Sequence, residues 1–241
     1  MAARLRVADE GAGRCSGGTI GGDGVGTDMP LATGGSMRAD RCSRLADRQR
    51  ILVVGSGGAG KSTFARALGQ RTGLPVVHLD RVFWQPGWTP MQDDAWHSTV
   101  AELVTGEAWI IDGNYAGTLD VRVQHSDAVV FFDVGRLTCL SGVVRRVIAH
   151  AGRSRPDMAE GCPERFDWTF VRWLWRFPED VRPRVVRAIE HAGAGVEVAV
   201  VRSRRDARAL LDECARAGDR LATAPGSQRS QLGQPYPGPG G

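Results

Sequence analysis

Nine consecutive residues, Gly55-Ser56-Gly57-Gly58-Ala59-Gly60-Lys61-Ser62-Thr63, constrain this chain more than any other segment, because they fit G-x-x-x-x-G-K-[ST] at every fixed position. The apolar run Ile51–Val54 lies directly before them and a helical pattern directly after, which is the strand–loop–helix setting the motif needs. Glycines let such a loop turn its N–H groups inward as a nest for phosphate oxygens, and the following helix presents its positive end to the same oxygens. Gly55, Gly57, Gly58, Ala59, Gly60, Lys61, Ser62 and Thr63 are therefore expected to cradle the phosphates of a nucleoside triphosphate, ATP before others. Lys61 should reach the β- and γ-phosphates, and the Ser62 hydroxyl should ligate Mg²⁺. The competing reading is a glycine-rich turn with no ligand.

Composition singles out the same lysine. Of 31 basic residues, 30 are arginine and the one lysine is Lys61. Codon bias accounts for an arginine excess, but a drift that strong should also have removed Lys61 unless an ammonium is required there. The net charge of +4 suggests anionic partners without saying which. Five scattered cysteines show no metal-ligand spacing, and no apolar stretch approaches the roughly 20 residues of a membrane span. With no charged-then-apolar signal pattern at the N-terminus, a cytoplasmic location without membrane attachment is expected.

Residues 1–36 contain ten glycines and few large apolar residues, and residues 219–241 are polar and rich in Pro and Gly. The extension 1–49 and the tail 219–241 are expected to be disordered. Residues 50–218 alternate short apolar runs with helical patterns, as in a parallel sheet covered by helices. Strands are predicted at Ile51–Val54, Pro75–Leu79, Trp109–Ile111, Ala128–Val134 and Val196–Val201. Helices are predicted at Lys61–Thr72, Met91–Thr105, Thr138–Ala151, Trp168–His191 and Asp206–Ala217, with Pro178 and Pro183 kinking or splitting the fourth. The stretch 153–167, rich in Arg, Pro and Gly, reads as a mobile loop.

Acidic residues at the carboxyl ends of parallel strands face the crevice where ligands bind. Asp80, after VVHL, can accept a proton from a substrate hydroxyl there, or it can be a helix cap. Asp112, closing WII, is the expected second-shell holder of Mg²⁺, and Asp133, closing VVFF, competes for that role. The segment from Arg145 to Arg155 places guanidiniums where they could clamp a transferring phosphoryl group, or simply form a solvated basic face. Phe83, Trp84 and Trp88 either wall a substrate pocket or pack under a loop. Trp173 and Trp175 read as core, Cys162 as incidental, and none of the five histidines is assigned a role.

With these segments in view, the chain resembles the P-loop nucleoside/nucleotide kinase superfamily, and within it the adenylate kinase-related group known as DNA topology modulation proteins. The resemblance is carried by GSGGAGKST, HLDRVFWQPGW, WIIDGNY, VVFFDV and RSRPDMAEGCPERFDW, which span roughly residues 50–187. It implies a three-layer α/β sandwich with a five-stranded parallel sheet of order 2-3-1-4-5, a substrate region after strand 2 that includes Trp84, and a short arginine-bearing lid after strand 4. It also implies that Asp112 holds magnesium-bound water and borders the acceptor, that Arg122 touches the acceptor, that Arg153 and Arg155 are lid arginines, and that Arg202–Arg205 lie near the adenine. DGNY at Asp112–Tyr115 departs from the Phe-Pro-Arg continuation of adenylate kinases. The resulting expectation is a kinase that moves the γ-phosphoryl of Mg-ATP to a small hydroxyl or phosphate acceptor. Its rivals are a nucleotide-dependent ATPase or switch, and a DNA-associated protein with a regulatory ATP site, although no DNA-binding motif is visible.

Overall fold

The computed structural model describes residue 45, residues 47–193 and residues 195–223, with side chains of the last helix described to Arg216. The disorder expected for residues 1–36 lies outside the described residues, as does that for residues 224–241. The described residues extend past both expected boundaries. Leu45 is buried in the core, and the last helix continues to Thr223, five residues beyond the expected end at 218.

The sheet comprises β1 (Arg50–Gly55), β2 (Val76–His78), β3 (Trp109–Asp112), β4 (Ala128–Phe132) and β5 (Glu197–Val201). All pairings are parallel, in the order 2-3-1-4-5 that the sequence leads one to expect. Alternation in β1 sets the layers, because Ile51 and Val53 enter one apolar cluster while Leu52 and Val54 enter the other. A strand apolar on both faces must be covered on both. The first cluster is closed by α1 (Lys61–Thr72), α5 (Arg136–His150), α6 (Trp168–Asp180) and α8 (Arg204–Thr223). The second is closed by α2 (Leu79–Phe83), α3 (Asp93–Leu103), α4 (Leu119–Gln124) and α7 (Arg182–His191).

Two local expectations are corrected. The second strand stops at His78 and the chain coils at once into α2, so Asp80 stands in a helical first turn rather than at a strand end. The fourth strand stops at Phe132, leaving Asp133 in the following turn. The helical stretch 168–191 divides at Val181, the split that its two prolines lead one to expect. Pro183 then falls in the first turn of α7, where its missing N–H costs nothing, while Pro178 remains inside α6. Among the described residues no helix is long and apolar enough to cross a membrane.

Register aligns the carboxyl ends of the central strands. Val53 and His78 both pair with Asp112, and Gly55 pairs with Phe132. The phosphate-loop motif, the Asp112 turn and α2 therefore emerge along one edge of the sheet, on either side of a single cleft.

Candidate functional site

The loop Ser56–Gly60 leaves β1 and enters α1 as the motif requires. Gly55 has φ of 134° and Gly58 a φ of 72°, and a Cβ on either would run into backbone, that of Phe132 or Cys139 respectively. The glycines are thus demanded by left-handed backbone and by close packing on β4 and α5. Gly60 caps α1 with no side-chain bond to the helix N–H groups, so those donors remain open toward the cleft. Lys61 Nζ donates to the Ser56 carbonyl at 2.9 Å, folding the ammonium back over the loop. Burial pulls its pKa below the ordinary lysine value, against the opposing pull of Asp112 and Asp80. Gly57 to Thr63 line the cleft continuously.

Asp112 is 4% exposed and lines the same cleft. One carboxylate oxygen, Oδ2, meets His78 Nδ1 at 2.9 Å, whereas the buried Oδ1 has no hydrogen-bond partner. A buried, unmatched carboxylate oxygen is costly, and a cation is the kind of group that would match it. Asp133 takes no part, since Arg182 grips its two oxygens at 2.9 Å each. Of the two rival carboxylates, Asp112 faces the cleft and Asp133 is neutralised outside its lining. Among the described residues no group of three or more His, Cys, Asp or Glu side chains gathers as an all-protein metal site. One carboxylate beside a Ser62 hydroxyl and phosphates is instead the mode magnesium ordinarily takes.

The turn after Asp112 supplies residues that sequence reasoning passed over. Asn114 accepts from the Gly55 N–H at 2.8 Å and donates to the Gly55 carbonyl at 2.5 Å, clipping this turn to the start of the phosphate loop. Tyr115, at the unusual φ of 35°, donates its hydroxyl to Asp80 Oδ1 at 2.8 Å. Burial raises the Asp80 pKa above the usual carboxylate range, with the Tyr115 bond opposing it. Burial also drives the Tyr115 hydroxyl well above its ordinary value, and the neighbouring Asp80 adds to this. The tyrosine is therefore a fixed donor, and Asp80 a half-buried carboxyl at the cleft.

Around Asp80 the aromatics meet edge-on or tilted. Phe83 lies 5.0 Å from both Trp84 and Trp96 and 4.8 Å from Tyr115, and Trp84 lies 5.5 Å from Trp88. All five rings line the cleft. The even choice between pocket wall and loop packing thus resolves as both. Trp173 packs on the core as expected, but Trp175 is 48% exposed beneath the Arg136 guanidinium and is not a core residue.

The segment 153–167 is docked. Met158, Ala159 and Cys162 pack under Trp84 and Trp88. Gly87 N–H donates to the Gly161 carbonyl at 3.0 Å, Trp88 Nε1 to the Pro163 carbonyl at 3.2 Å and Cys162 Sγ to the Gln85 carbonyl at 3.1 Å. Cys162 is therefore a structural fastening rather than an incidental thiol. Glu164, 6% exposed, gathers the arginines: Arg146 Nε lies 2.9 Å and Arg155 Nε 2.6 Å from its oxygens, and Arg155 also binds Asp157 at 2.7 Å. Burial works against ionised Asp157, yet Arg155 holds its pKa below the ordinary value. Arg155 and Arg146 line the cleft, whereas Arg153 is exposed and outside the lining. Of the two expected lid arginines only Arg155 faces the cleft, with Arg165 beside it in the lid and Arg146 joining from α5. Arg204, from the Arg202–Arg205 loop, also reaches the cleft.

Arg122 does not touch the cleft. It is fully buried and donates to the carbonyls of Gly113, Asn114, Tyr115 and Thr118. Burial lowers its pKa to about 9, so it remains charged near neutrality. Its work is to hold the Asp112–Tyr115 turn. Arg122→Ala is expected to cost about 3–5 kcal/mol, from the cavity and from carbonyls left without donors, and Arg122→Lys should not restore it because an ammonium cannot fork to the same set. Chemical denaturation checks this, and an unchanged midpoint would refute it.

Comparison with known proteins follows this geometry. The family model for isopentenyl transferase matches residues 49–86, the segment from β1 to the start of the hairpin. No curated protein sequence matches the chain significantly. Among solved structures, shikimate kinase from Acinetobacter baumannii superposes with a TM-score of 0.50 at 14% identity, over 76% of this chain and 99% of that one. A gluconokinase from Sinorhizobium meliloti 1021 gives 0.42 at 16% identity, over 72% and 95%. Deoxyadenosine kinase from M. mycoides gives 0.39 at 11% identity, over 71% and 98%. At these identities the likeness concerns the fold, and the chain has the α/β fold of P-loop kinases.

Proposed function

We propose that this protein is a P-loop kinase that transfers the γ-phosphoryl group of Mg-ATP to a small acceptor. The observation that carries the reading is one cleft, of about 1550 Å³, that contains the phosphate loop, the open oxygen of Asp112 and the half-buried Asp80. A single small-ligand pocket occupies roughly 300–1,000 Å³, so there is room for a nucleotide and a second molecule. Water as the only acceptor would not call for an aromatic-walled compartment beside Asp80.

In this reading the loop N–H groups, Lys61 and the α1 terminus bind the phosphates. Ser62 and Asp112 hold magnesium, which when bound offsets charge on the β- and γ-oxygens. Asp80, fixed by Tyr115, accepts the proton of the attacking hydroxyl. Arg155 on the lid and Arg146 on α5, both held by Glu164, present guanidiniums to the cleft, where charge on the transferring group is redistributed. Phosphoryl transfer asks the protein mostly for positioning and electrostatics, and these residues provide both.

ADP formation measured with nucleosides, nucleoside monophosphates and small hydroxylated metabolites tests the reading. One acceptor class is expected to raise turnover far above the acceptor-free rate. Equal ATP hydrolysis with and without every acceptor would favour a switch, and stimulation by DNA alone would favour a DNA-associated role.

A further inference from the structure

Among the described residues seven large apolar side chains are exposed, and six of them stand on one helical hairpin. They are Leu137, Val144 and Ile148 on α5, Phe166 at the end of the lid, and Trp168 and Trp175 on α6. Leu137, Ile148 and Trp168 are 73%, 75% and 74% exposed. Their spacing on each helix, seven and four on α5 and seven on α6, puts each set on one helix face. The same helices turn Cys139, Val143, Leu174 and Phe177 inward, so the apolar stripes face away from the sheet. The two helices run antiparallel, because Arg136 lies over the Trp175 ring and pairs with Glu179, while Arg146 lies over the Phe170 ring. The stripes therefore lie side by side. Arg145, Arg172 and Arg176, interleaved with them in sequence, line the cleft instead, and none of the six apolar residues does.

This face has the size and shape for a second copy of itself. With about 200 Å² for an aromatic side chain and somewhat less for an aliphatic one, it exposes roughly 600 Å² of apolar side chain. That reaches the scale of about 600–800 Å² per partner at which specific interfaces begin. A phosphate-rich surface, lipid or nucleic acid, is met by cations, and those interleaved with the stripe are turned into the cleft. Residues 224–241 contain two large apolar residues, Leu232 and Tyr236, too few to cover six side chains. The face is also complementary end to end. Trp168 projects at one end, and at the other Gly135, Arg136, Leu137, Thr138 and Trp175 surround an open hollow of about 480 Å³, room for an indole. A two-fold axis across the middle of the stripe brings Trp168 of each copy to the hollow of the other, the reciprocal contact that a closed dimer needs.

We infer that this protein forms a two-fold dimer through the outer face of α5 and α6, with Trp168 of one copy seated beside Leu137 and Trp175 of the other. The inference does not depend on the reaction. The lid is strung between these two helices, so the interface holds both of its ends.

Sedimentation and light scattering of the full chain in reducing buffer, from about 1 to 100 µM, read the assembly state directly. A mass of two copies is expected at the upper end, falling toward one on dilution. Trp168→Glu and Ile148→Glu should each weaken association at least about 100-fold, because a carboxylate would be buried in an apolar contact. Both side chains are exposed in the single copy, so the fold should be unaffected, which circular dichroism at low concentration checks. Val121→Glu, at the seventh exposed apolar residue, lies on α4 over the opposite face of the sheet and should leave the two-copy mass intact. A single-copy mass at about 100 µM would overturn the inference. So would a dimer that survives both hairpin glutamates, or assemblies larger than two. A single copy that sediments with vesicles of anionic lipid would also overturn it and assign the face to a membrane surface.

Discussion

Lys61→Ala is expected to weaken ATP binding by on the order of 100-fold or more while leaving the protein folded. A charge-assisted contact is worth about 1.5–3 kcal/mol, and this ammonium would face two phosphates. No other lysine exists to substitute for it. The fold should not suffer, because burial already lowers the pKa of this group and the bond to the Ser56 carbonyl is its one hydrogen bond in the free protein. Removing a desolvated ammonium should leave the melting midpoint of the nucleotide-free protein unchanged or higher. Titration calorimetry with Mg-ATP and a thermal melt on the same preparation check the two halves. Wild-type affinity in the folded variant would remove the central support of the proposed function.

Asp80→Asn should reduce acceptor-dependent turnover by about 10²–10⁴-fold, the usual cost of losing a positioned base, with ATP affinity nearly unchanged. The substitution isolates charge from shape, since an amide oxygen can still accept from Tyr115. The pH profile gives a second signature. Burial raises the Asp80 pKa, and the base must be ionised, so activity should fall as pH drops through that raised value. The acid limb therefore lies above the range of an ordinary exposed carboxylate, and it should disappear in the asparagine variant. Unaltered turnover would reduce Asp80 to a residue of the first helical turn of α2.

The fold and the phosphate loop were legible because their signals are local. A nine-residue motif carries its own glycines, lysine and helix start, and continuous apolar runs such as Ile51–Val54 and Phe131–Phe132 announce strands covered on both faces. Asp112 and Asp80 were visible for the same reason, as acids that follow apolar runs. The partners that give them meaning were not. His78 meets Asp112 across 34 residues, and Asn114 clips Gly55 across 59, through sheet register that no spacing rule encodes. A lone arginine in a helical pattern could equally face ligand or core, and Arg122 turned inward because three carbonyls of the 113–115 turn needed donors. The choice between Asp112 and Asp133 likewise turned on Arg182, 49 residues further along. Arg153 and Arg146 differ by seven positions in one basic stretch, and only the docking of Glu164 shows which one points inward.

The fastening of the lid to the hairpin at residues 84–90 has a kinetic corollary. The bonds from Gly87, Trp88 and Cys162 tie the segment that bears Arg155 to the segment that bears Trp84. Neither can swing away without carrying the other or breaking that seam. Under the proposed function, spent nucleotide and phosphorylated product would leave through one shared hinge, so their dwell times should rise and fall together.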